Sequence, residues 1–102
     1  MAEVENIQYG NIWTGERAGS ATAVQLAARK CRMVMFVAPN GNASDVYLGG
    51  SGVTVAAGTT TTTAGYELQP GAQTPWIPCF NLNQFYIICD ASDDDILWMA
   101  VE

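Results

Sequence analysis

Apolar and polar positions alternate along this chain in short runs that stop at Gly, Pro, Asn or Asp, a period-2 pattern that predicts β-strands. The clearest runs are "CRMVMFVA", "DVYLGG", "SGVTVAAG", "GYELQPG", "QFYIICD" and "ILWMAVE"; only "ATAVQLAARK" carries a hint of a helical stripe. In "GYELQPG" the alternation puts Tyr66 and Leu68 on a core face and Glu67 and Gln69 in solvent. Pro70 and Gly71 then occupy the central positions of a type II turn, since proline presets φ and glycine accepts the positive φ that follows. Asn40-Gly41 in "PNGNASD" and the acidic run "DASDDD" predict the tips of two hairpins, one between "CRMVMFVA" and "VYLGG", the other between "QFYIICD" and "DILWMAVE". Residues 1–20 are weakly patterned and predict an edge strand or arm; residues 21–102 predict one β domain, a compact β-sandwich or small β-barrel of short antiparallel strands.

Three runs break the rule that such a strand has one apolar face. In "CRMVMFVA" Met33, Met35 and Val37 alternate with Val34, Phe36 and Ala38; in "QFYIIC" Tyr86 and Ile88 alternate with Phe85, Ile87 and Cys89; in "ILWMAV" Ile96, Trp98 and Ala100 alternate with Leu97, Met99 and Val101. One core cannot hold both faces. Either loops fold over the surplus, or a second subunit covers it, and a chain this small would otherwise expose more apolar surface than soluble monomers carry. Self-association is the favoured expectation, with Met33, Met35, Phe85, Ile87, Trp98 and Met99 as candidate interface residues.

Charge narrows the function. The chain has 102 residues, four basic against ten acidic and no histidine, a formal charge of -6 that disfavours binding to a phosphate backbone. Arg29, Lys30 and Arg32 nevertheless crowd into "ARKCR" and form a local basic spot. No run is long and apolar enough for a membrane span, and the first ten residues do not read as a signal peptide. Cys31, Cys79 and Cys89 lack metal-ligand spacing and sit among apolar residues, which predicts buried, reduced, unreactive thiols. Without histidine a serine or cysteine nucleophile lacks its usual base, and the crowded Asp90, Asp93, Asp94 and Asp95 read as a solvated turn before they read as a hydrolytic pair or a calcium loop. The expectation is therefore a protein that is not an enzyme and uses no cofactor or metal. Thr59, Thr60, Thr61, Thr62 and Thr63 form a polar β-branched run with nothing to bury, a candidate partner-ordered surface. Trp76, stiffened between prolines in "TPWIPC", suits a sheet edge and is the candidate exposed aromatic.

From Ala21 onward, over about four-fifths of the chain, the ordered set "NASDVYLGG", "GVTV", "GYELQPG" and "NLNQFYIICD" resembles small virion proteins of tailed bacteriophages, notably capsid decoration or cement proteins. The resemblance implies a non-enzymatic structural protein, made in the host cytoplasm and carried on the capsid surface of the virion, often as a homotrimer. Its partners would be the major capsid protein and copies of itself, with no nucleic acid and no membrane. The basic trio Arg29, Lys30 and Arg32 and the threonines from Thr59 to Thr63 become candidate capsid contacts. Two other readings stand beside it: a tail- or fibre-associated carbohydrate-binding module using Trp76, and a monomeric binding domain.

Overall fold

A computed structural model describes residues 11–54, 65–89 and 94–102. The chain is all-β, as the alternation predicts. Its strands are β1 (Ile12–Ala18), β2 (Val24–Gln25), β3 (Met33–Val37), β4 (Val46–Gly49), β5 (Tyr66–Leu68), β6 (Ile77–Pro78), β7 (Tyr86–Cys89) and β8 (Asp95–Val101), with one 3-10 turn at Leu82–Gln84. They form two antiparallel four-stranded sheets, ordered β1-β8-β3-β6 and β2-β7-β4-β5. Val34, Phe36, Ile96, Trp98 and Ala100 of the first sheet meet Val46, Leu48, Leu68, Ile87 and Cys89 of the second in one buried cluster, so the architecture is a sandwich. Phe36 centres it, with the rings of Phe85 and Trp98 edge-on at 5.0 and 6.3 Å between centroids.

Both expected hairpins are corrected by the sheet order. β3 and β4 lie in different sheets, as do β7 and β8, so "PNGNASD" and the acidic run are crossovers between layers. The Asn40-Gly41 turn forms as predicted, closed by the Asn42 N–H on the Pro39 carbonyl at 3.1 Å, but it redirects the chain to the opposite sheet. The Pro70-Gly71 turn is also present: Gly71 has φ 89° and the Ala72 N–H donates to the Gln69 carbonyl at 2.8 Å. A side chain at Gly71 would in addition collide with the Asn40 amide.

Three local expectations change. "ATAVQLAARK" yields only the short strand β2, because Val24 pairs with Ile87 and leaves no run for a helix. Tyr66 is exposed and Leu68 alone enters the core, β5 being an edge strand with a neighbour on one side only. The described part of "SGVTVAAG" is a turn at 51–52 and a lone bridge residue at Thr54.

Candidate functional site

The two sheets treat their second faces differently. On the outward side of the second sheet, Tyr47 of β4 stands opposite Ile88 of β7, and both are buried beneath Val53 with Ala23 and Tyr86 packed alongside. Loops cover that face. The surplus apolar residues of "QFYIIC" are therefore used within the fold, and Ile87, proposed above for an interface, lies fully buried in the core on the opposite side.

The first sheet has no such cover among the described residues. Its outward side is built in three rungs by the strand register: Ile12 beside Val101 and Met33, Thr14 beside Met99 and Met35, and Glu16 beside Leu97 and Val37. Pro78 of β6 extends the first rung beyond Met33. Met33 and Met99 are exposed at 37% and 38% of their surface, Ile12 at 65%, and Met35, Val37, Leu97 and Val101 are half-buried. The face is concave: a groove of about 470 Å³ runs over it between Thr14, Glu16, Met35, Gln73, Leu97 and Met99. Unbranched methionines give such a surface a soft, adaptable lining. Glu16 sets a polar margin toward β1, and Gln73 reaches the Met35 sulfur from the opposite margin at 3.9 Å.

Of the six candidate interface residues, Met33, Met35 and Met99 share this face. Phe85 is half-buried against Phe36, and Ile87 and Trp98 point inward; the correction follows from pleat parity, since Trp98 pairs across from Phe36 and both belong to the core face. Trp98 packs under Gly15, where a Cβ would sit 2.6 Å from its ring, and its indole N–H is buried without an acceptor.

The basic trio sits at one end of the sandwich, beside the 3-10 turn. Asn81 caps that turn by accepting from the Asn83 N–H at 3.1 Å and also accepts from the Arg29 N–H at 2.9 Å, while Gln84 reaches back to the Asn81 N–H at 3.0 Å. Arg29 is exposed with its guanidinium 4.1 Å over the Trp13 ring, Lys30 is exposed opposite Asn81, and Arg32 donates from Nε to the Glu102 carbonyl at 3.1 Å. Trp76 is 39% exposed immediately before the edge strand β6, where the sequence puts it, and is the most exposed of the described tryptophans. Thr59 to Thr63 lie outside the described residues.

The acidic run is not simply solvated. Asp94 is buried, and its carboxylate accepts from the Ala43 N–H at 2.8 Å, the Ser44 N–H at 3.2 Å and the Ser44 hydroxyl. Asn42 completes the clasp, its side-chain amide exchanging two hydrogen bonds with the Asp95 backbone at 2.8 and 2.9 Å. The two crossovers are thereby tied together. Among the described residues, no group of three or more His, Cys, Asp or Glu side chains is placed to hold a metal ion, and no helix is long and apolar enough to cross a membrane. Compared with the models of known families, with curated proteins and with solved structures, the chain matches none.

Proposed function

We propose that this chain is a non-enzymatic structural protein that assembles with copies of itself through the outward face of the first sheet, and that it serves as a decoration protein on the head of a tailed bacteriophage. The observation that supports the assembly reading is the contrast between the two sheets. The same sequence that buries Tyr47 and Ile88 under Val53 leaves Met33, Met35 and Met99 in an open apolar face. A face of that kind gains free energy by burial, at about 25 cal/mol per Å² of apolar surface removed from water. The capsid reading rests on the virion-protein resemblance, and the exposed Arg29 and Lys30 give an otherwise acidic molecule a means of orienting on a shell.

Light scattering on the purified protein at micromolar concentration tests the first part, with a trimer expected. Met35→Lys, which adds a charge to the outward side of β3, should leave the thermal transition cooperative while shifting the oligomer to monomer. A wild-type monomer overturns assembly through this face. Adding the protein to phage heads stripped of accessory proteins tests the second part, with regular density expected at threefold positions and its absence overturning the capsid reading.

A further inference from the structure

Cys31 directly precedes the segment leading into β3, and Cys79 directly follows β6. The backbone fixes both: the Cys31 N–H donates to the Phe80 carbonyl at 3.2 Å and the Cys79 N–H to the Arg32 carbonyl at 2.9 Å. The two sulfurs are held 2.9 Å apart. That lies inside the optimal nonbonded separation of heavy atoms, about 3.5–4 Å, and leaves under about 1 Å to the disulfide length of about 2.05 Å. Both residues line an open cleft of about 740 Å³, walled by Lys30, Arg32, Phe80, Gln84 and Glu102, through which a small reagent can reach Cys79. Cys79 is half-buried and Cys31 is buried behind it. Cys89 lies apart from this pair, fully buried, with its sulfur toward the Ser20 carbonyl.

We propose that Cys31 and Cys79 form an oxidation site for small-molecule disulfides, closing to an intramolecular disulfide in the folded protein. The Cys79 thiol gives its proton to solvent and attacks one sulfur of the reagent RSSR; the reagent's S–S bond breaks, a mixed disulfide forms on Cys79, and the departing thiolate takes up a proton as RSH. Cys31 then loses its proton and attacks the Cys79 sulfur, expelling the second RSH. Two protein thiols are oxidised and one RSSR is reduced to two RSH. Burial, with the hydrogen bond and charge of Cys31 adding to it, pushes the Cys79 thiol up to about 12, so the first step is slow at neutral pH and the preset geometry drives the second. The bond pins β6, an edge strand of two residues, to the central strand β3 across 48 positions of sequence.

The test uses the full chain in its native state, incubated with glutathione disulfide at pH 8, acid-quenched, denatured and alkylated without reductant. The expected product has a mass about 2 Da below the reduced chain before alkylation, takes one alkyl group, on Cys89, and shows a cross-linked Cys31–Cys79 peptide pair. Its thermal midpoint should rise by roughly 10 °C and fall back on reduction, because the cross-link restricts the unfolded chain. Cys31→Ser should stop at a glutathione adduct on Cys79, with no rise in midpoint. Three alkylatable thiols in the treated wild type, a persistent glutathione adduct on it, or a cross-link involving Cys89 each overturns the proposal, and all three are read on the wild type however the variant folds.

Discussion

A carboxylate carried into a protein interior needs donors, and Asp94 has three from two consecutive residues of the other crossover. Removing it leaves the Ala43 and Ser44 N–H groups and the Ser44 hydroxyl without their acceptor. Asp94→Ala is therefore expected to cost about 3 kcal/mol in urea titrations, whereas Ser44→Ala, which removes one donor and strands nothing on the backbone, should cost about 1 kcal/mol. In the sequence Asp94 is one of a run of similar carboxylates, and hydropathy cannot tell which of them the fold will cap. A second acidic contact is set by the cross-strand pairing of β4 with β5. The Glu67 carboxyl is held above its ordinary range by a hydrogen bond with Asp45 and then by the charge of that neighbour. Because the folded value exceeds the unfolded one, this contribution to stability is fully present below the unfolded value of 4.5 and is lost as pH rises through the folded value. Glu67→Gln should accordingly raise the thermal midpoint at pH 7 and leave it unchanged at pH 3, a comparison that calorimetry at the two pH values makes directly.

Among the elements, β1 shows how a weakly patterned segment earns its place. Its inward positions are Trp13 and Gly15, and Gly15 is what lets the strand lie against the Trp98 ring. Gly15→Ala should push β1 from β8, costing about 2 kcal/mol and selectively lowering amide protection over residues 12–18 in hydrogen exchange. Trp98→Phe, in contrast, removes a buried N–H that has no acceptor and should cost less than half of what Trp98→Ala costs. The strands themselves were legible from alternation and turn residues: β3, β4, β7 and β8 fall inside the runs that predict them. Their pairing was not. A turn dipeptide such as Asn40-Gly41 specifies a local change of direction, and whether the next strand pairs with the last or crosses to the facing sheet is decided by long-range clasps such as Asn42 with Asp95.

For the whole molecule, the doubled apolar pattern allows two physical solutions, and the fold uses the first on one sheet only: loops cover the second sheet, while among the described residues nothing covers the first. Sequence parity alone identified Met33, Met35 and Met99 together with the inward Trp98 and Ile87, because alternation marks two faces without saying which one looks out. The exposed cations belong to the same scale, since under the proposed assembly their effect would be repeated on every subunit. Replacing Arg29 and Lys30 by serine removes exposed contacts of at most about 1 kcal/mol each, so the fold and oligomer should persist while occupancy on stripped phage heads falls. Wild-type occupancy should itself decline as salt rises, and insensitivity to both changes would move the docking surface elsewhere.

The strand order also has a consequence for biosynthesis. β8 supplies the second position of the first sheet, between β1 and β3, and its partners begin at Ile12 and Met33. Until residues 95–101 have left the ribosome, β1 has no strand to pair with, and β3 has only the two-residue β6 beside Met33 and Val34. Completion of that sheet therefore waits for its last strand in chain order, and over that interval the apolar β3 lacks its longest partner, the kind of exposed strand that chaperones hold.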